Sequence, residues 1–246
     1  MVEFLQNLKV NVKEQEVFRL IGYGRNDPAP AERVRNTLVD AIKEGYSLIE
    51  PKAIYTWVEV KKTEGTSLVL NKGIRLEIGN SIKFWEGAQY FAIALCTIGP
   101  SLEERVRERF TQGEFPLALM LDSVGSVAVE SIADQANYSI CQKAHTIGLR
   151  AGRRLSPGYG KWAIHEQEVL FALLSGELIG VQLNEGCIMI PKKSISFGAA
   201  VGKRVMATIN ASPCQYCNLP DCQYRRLLHS EEVGHVNNWR EDQYKH

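Results

Sequence analysis

Apolar residues recur at helical spacing early in the chain. Glu14 to Ile21 carries Val17, Leu20 and Ile21 on one face and meets Gly22, which predicts a short helix. Gly24 to Pro30 is a turn-rich link. A second helix is predicted from about Ala31 to Glu44, where Val34, Leu38, Ala41 and Ile42 keep helical spacing and Gly45 offers a stop. The pattern then changes. Ala53 to Val60, with Ile54, Trp57 and Val58, reads as a strand. Ser67 to Leu70 and Ile74 to Ile78 read as short strands around Asn71-Lys72-Gly73, a hairpin signal.

Ala88 to Ile98 is an almost unbroken apolar run, the pattern of a strand buried on both faces. It ends at Gly99-Pro100-Ser101. Ser101 and Glu104 have the spacing of a capping box for a helix reaching about Gln112. A long helical region follows from Pro116 to about His145. Its Gly125 lies among Ser123, Ser126 and Ala128, small residues that let another element approach closely. After a charged turn comes a helix from about His165 to Leu174. Ile179 to Leu183 and Cys187 to Pro191 flank Asn184-Glu185-Gly186, a second hairpin signal, and Ser194 to Val201 reads as a strand beside them. No repeat or low-complexity stretch interrupts this order. Hairpins and helices without strict βαβ alternation predict an α+β fold, an antiparallel or mixed sheet with packed helices.

The chain has 246 residues, 45% hydrophobic, enough for one large domain with an appendage. The expected division is a body over 1–205, its first fifty residues helical, and a tail over 206–246. A net charge of +1 supplies no basic field, so nucleic acid is not the expected partner. The first residues lack a signal-peptide pattern, and no run of about 18 apolar residues predicts a membrane span. The expectation is a cytoplasmic protein, in which six cysteines read as thiols or metal ligands before disulfides.

Cys96, Cys141 and Cys187 sit singly in apolar surroundings and read as small buried hydrophobes. Cys214, Cys217 and Cys222 fall within nine residues, and His229, His235 and His246 also lie in the tail. Two thiolates spaced by two residues can grip one metal, and a third nearly completes a tetrahedral set, with His229 or His235 as a possible fourth ligand. Zinc and an iron–sulfur cluster both suit this set, as do three free thiols. No Ser-His-Asp set or phosphate loop stands out. Gly22-Tyr23-Gly24 reads as a helix stop running into a turn, and His145 and His165 as residues at element ends.

The densest chemistry lies in Arg153-Arg154-Leu155-Ser156-Pro157-Gly158-Tyr159-Gly160. Arg presents a planar fork to a carboxylate or phosphate. Pro-Gly fixes a tight turn, because Pro sets φ and Gly accepts positive φ. Tyr159 adds a ring that can cover a flat group. The plain alternative is a charged surface turn, with Arg154 paired to an acid such as Glu166 or Glu168. Glu130, an acid among Ala128, Val129 and Ile132, is either paired or functional.

Those eight residues, together with Trp162, resemble the Arg-x-x-Pro-Gly-Tyr turn of the activation domain of cobalamin-dependent methionine synthase, in its stand-alone form. Leu121 to Glu130 resembles the helix before that turn, and Met189 to Ser196 the strand after it. The resemblance covers roughly residues 85–200. It implies the same α+β fold and an S-adenosylmethionine site. Arg154 would hold the methionine carboxylate, Ser156 and Gly158 would offer main chain, and Tyr159 would stand near the ligand and the corrin face. The family places acids on the helix against the ligand. Glu130 is the candidate here, although the best-known family position aligns nearer Ser126. The implied role is reductive methylation of the cobalamin presented by a methyltransferase or corrinoid protein, with an electron donor as a further partner. The alternative is a non-catalytic corrinoid-protein accessory whose Cys-rich tail carries metal.

Overall fold

The computed structural model describes residues 1–24, 27–159 and 162–206. At its centre is a seven-stranded antiparallel sheet. Its strands are β1 (Glu3–Phe4), β2 (Lys52–Glu64), β3 (Ser67–Leu70), β4 (Arg75–Glu77), β5 (Tyr90–Thr97), β6 (Arg150–Leu155) and, anticipating chain order, β9 (Ser194–Gly202). The spatial order is β4-β3-β2-β5-β9-β6, with β1 pairing off this path onto β2. The remaining strands, β7 (Gln182–Leu183) and β8 (Met189–Ile190), form a separate hairpin.

Helices α1 (Glu14–Leu20), α2 (Glu32–Leu48), α3 (Ser101–Thr111) and α4 (Phe115–Thr146) cover one face of the sheet. Helix α5 (Gln167–Leu173) and the 3₁₀ turns Gly79–Trp85 and Gly176–Ile179 contribute to the layer on the other. This double cover explains the apolar run in β5. Ala92, Ala94 and Cys96 face the helices, while Phe91, Ile93 and Leu95 face the second layer, where Trp85, Phe91 and Trp162 pack ring against ring. Packed aromatic pairs of this kind add about 0.5–1.5 kcal/mol beyond area burial.

Several sequence expectations need correction. Helix α2 runs through Gly45 to Leu48. Gly45 is there for packing: a Cβ on it would lie 2.7 Å from Val124 Cγ1 of α4. Gly125 has the packing role its neighbours suggested, against Leu102 of α3 and the stem of Lys193. The capping box does not form. Pro100 is the N-cap of α3, with no side-chain cap, and the Glu104 N–H bonds the Pro100 carbonyl. Residues 194–201 do not pair beside the β7–β8 hairpin; β9 lies between β5 and β6. The arginines expected in a turn stand on β6, a strand that the mixed composition of Arg150 to Leu155 conceals.

Helix α4 is long and apolar enough by composition to cross a membrane, yet more than half of its most apolar window is buried within the protein. Cys96, Cys141 and Cys187 are buried and unbridged. Cys214, Cys217 and Cys222, the expected metal ligands, lie outside the described residues, as do His229 and His235; among the described residues no metal-ligating cluster forms.

The first dozen residues carry structure the helical reading of 1–50 missed. After β1 the chain crosses α4 as an extended strap. Gln135 brackets Lys9, accepting from its N–H at 3.0 Å and donating to its carbonyl at 2.8 Å. Asn11 N–H donates to Ser131 Oγ and Val12 N–H to Tyr46 Oη of α2. Leu8, Val10 and Val12, at alternate positions, pack on the helical core.

Candidate functional site

Two adjacent arginines end β6, and a register shift decides which one faces the helices. Ala151 pairs with Val201 and Arg154 with Ala199, so three steps on β6 match two on β9. The extra residue is a β-bulge, a device that re-aims side chains. It puts Arg154 on the same face as Ala151, towards α4. Arg153 goes to the opposite face, its guanidinium carbon 3.3 Å from the centre of the Phe84 ring.

Arg154 Nη2 donates to Glu130 Oε2 and to Asp134 Oδ1, both at 2.7 Å. Glu130 and Asp134 are one turn apart on α4, so one guanidinium nitrogen spans both. Only 10% of the Arg154 side chain is exposed, against 34% for Glu130 and 59% for Asp134. Burial alone would lower the Arg154 pKa. The Glu130 and Asp134 carboxylates outweigh it and hold the group above its ordinary value. A buried charge of this kind is tolerable only with such partners. Both Nη2 protons are thereby placed, while Nη1 and Nε make no hydrogen bond among the described residues. The guanidinium is anchored through one nitrogen and keeps donors for an anionic group.

Beneath it, Phe197 of β9 is fully buried, its ring centre 5.7 Å from the guanidinium carbon. It is floor rather than an exposed stacking surface. Cys96 is also buried here, and burial pushes its thiol up to about 12.

The strand runs directly into a turn. Tyr159 N–H bonds the Ser156 carbonyl, with Pro157 second and Gly158, at φ +90°, third. Pro followed by a residue with positive φ is the type II arrangement. Trp162 ties the turn down by accepting from Gly158 N–H at 2.8 Å and donating to the Tyr159 carbonyl, while its own ring is buried. Pro157 is buried, Gly158 is exposed, and Tyr159 is 66% exposed. The sequence-predicted residues Arg154, Ser156, Gly158, Tyr159 and Glu130 therefore gather at one end of β6 and the adjoining face of α4. Glu166 and Glu168 do not pair with Arg154. Glu166 Oε2 accepts from the Glu77 N–H, and Glu168 meets the Cys187 thiol. Asp134 was missed; its signal was the i+4 spacing from Glu130.

No family model matches the chain, and no curated protein matches its sequence. The fold does have a solved counterpart. It is similar to the crystal structure of the MetH reactivation domain bound to AdoHcy, at a TM-score of 0.61, over 85% of this chain and 80% of that one. This is the α+β fold of the methionine synthase reactivation domain. At 12% identity the likeness is one of fold.

Proposed function

We propose that this protein binds S-adenosylmethionine at Arg154 and the Ser156–Tyr159 turn that follows it, and supports reductive methylation of the cobalamin of a methionine synthase or related corrinoid methyltransferase. The observation that carries the reading is Arg154: a buried guanidinium, anchored among the described residues through Nη2, beside the turn in a fold whose solved counterpart was crystallised with AdoHcy. Its remaining donors suit the methionine carboxylate. The partly exposed carboxylates of Glu130 and Asp134 suit the positive amino and sulfonium groups, and Tyr159 stands at the lip where a partner's corrin would arrive.

The sulfonium supplies the methyl group and leaves as neutral S-adenosylhomocysteine; the cobalt, reduced by an electron donor, supplies the electron pair. The chain's own residues would hold the sulfonium in position, and that positioning would be the catalytic contribution. Isothermal calorimetry with S-adenosylmethionine tests the reading. The expected result is one site per chain, with weaker binding of S-adenosyl ligands that lack the carboxylate. Absence of binding at millimolar ligand would sink it.

A further inference from the structure

Helix α4 carries a longer polar stripe than the ion pairs of Arg154 alone require. Asp122, Ser126, Glu130 and Asp134 follow one another at i+4, each one turn beyond the last, on a helix whose other faces are largely apolar. Arg154 and Lys193 both reach this stripe. Arg154 holds the pair at one end. At the other, Lys193 Nζ lies 2.8 Å from Ser126 Oγ and 2.8 Å from Asp122 Oδ1, with 13% of its side chain exposed. An ammonium has three donors. These contacts use two, and no further acceptor among the described residues takes the third.

The positions of the cations are fixed by different elements. Arg154 rides on β6 opposite Ala199. Lys193 immediately precedes β9, and its own N–H is held by Glu103 Oε1 at 2.5 Å. Their helical partners are centred about eight residues apart on α4, roughly 12 Å at the helical rise. Strand β6 runs antiparallel to β9, pairing Leu155 with Gly198, so its continuation into Ser156 and Pro157 heads towards the Lys193 end. The strand that carries Arg154 is thus aimed along the sheet towards Lys193, and both cations meet the same stripe of α4.

The geometry points to Lys193 as a second ligand anchor, meeting the nucleoside end of a ligand whose amino-acid carboxylate is held at Arg154. This rests on the proposed S-adenosylmethionine site and gives it a polarity. A ring nitrogen or ribose hydroxyl would complete the ammonium's donor set, and a charge-assisted bond of this kind is among the stronger neutral-acceptor contacts.

The test is a cycle of two ligands and two variants. Calorimetry with S-adenosylmethionine and with its decarboxylated analogue is run on the full chain, on Lys193→Met and on Arg154→Met, with thermal melting as the folding control. Loss of one such bond should weaken affinity about tenfold. Lys193→Met is expected to lose that factor for both ligands, because its contact lies away from the carboxylate, and Lys193→Arg should recover most of it. Arg154→Met should lose affinity for S-adenosylmethionine only. Should the Met variant not fold, Lys193→Gln, which keeps a donor without the charge, replaces it. Unchanged affinity in Lys193→Met, with binding to the full chain intact, makes Lys193 a tie between α4 and β9 and overturns the inference alone. A loss confined to the carboxylate-bearing ligand reverses the polarity and overturns it too. If the full chain binds neither ligand, the underlying site reading falls, and the inference with it.

Discussion

At the scale of single residues, the two neighbouring arginines make a sharp contrast. Arg154→Ala should weaken S-adenosylmethionine roughly ten- to a hundredfold, since a hydrogen bond to a charged group contributes about 1.5–3 kcal/mol. Arg153→Ala should leave that affinity alone and cost about 0.5–1 kcal/mol of stability through its stacking on Phe84, read by denaturant melts. Equal effects of both changes on binding would contradict the facing of β6. Tyr159→Phe should be milder than Tyr159→Ala, because an exposed ring offers contact area first and a hydroxyl second. Glu166 gives a pH signature. Burial raises its pKa, and the Glu77 N–H only partly offsets this. The folded state thus holds its proton to higher pH than the unfolded state, so stability from this group is fully present in acid. It is lost as pH rises from the ordinary carboxylate range through the folded value. Glu166→Gln should therefore gain melting temperature relative to the parent near pH 7, with the gap closing towards pH 4. A gap that widens on acidification would reverse the assignment.

At the scale of elements, much of the architecture was legible because its signals are local. The β5 run, the β3–β4 hairpin and the length of α4 follow from periodicity and turn residues, and each element stands within a few residues of its expected place. What was hidden is set by pairing between distant segments. The sequence offers Arg153 and Arg154 equally, and only the bulge against β9 selects between them. Strand β6 itself is hidden because an edge strand with three arginines lacks an alternating pattern. Gly45 resembles a helix stop in isolation and becomes a contact point only once α4 lies across it. That crossing is testable. Gly45→Ala gains about 1 kcal/mol in helix propensity, but its Cβ meets Val124, a stiff β-branched side chain, and overpacking costs typically 1–3 kcal/mol. A net loss is expected by chemical denaturation, and recovery in Gly45→Ala combined with Val124→Ala would place the strain at that contact.

At the scale of the whole molecule, both cores are built, among the described residues, by stretches that end at Val205, which is buried beside Gly152. A chain ending at Met206 should therefore fold and retain S-adenosylmethionine binding. We propose that Cys214, Cys217 and Cys222 together bind one metal, an expectation from their spacing. Elemental analysis of the full and shortened chains, purified without chelator, should find metal in the first alone, falling on acidification as protons compete for thiolate. Equal content in both removes the assignment. The strap of residues 5–12 ties α4 to α2 and the sheet edge, and Ser131 and Gln135, which hold it, stand next to Glu130 and Asp134. The strap thus packs on the stretch of α4 that carries the carboxylates of the candidate site.

The burial of Cys96 has a consequence for the proposed S-adenosylmethionine site. A sulfonium ion methylates sulfur nucleophiles readily, and Cys96 lies close enough to Arg154 for the guanidinium to favour its thiolate. Cysteine attacks as the thiolate. With its pKa pushed up to about 12 by burial, Cys96 is almost wholly protonated at neutral pH, and it is fully buried between its own strand and the helical layer. On the proposed reading, the fold would keep this sulfur inert beneath the donor and leave the methyl group for an acceptor from outside.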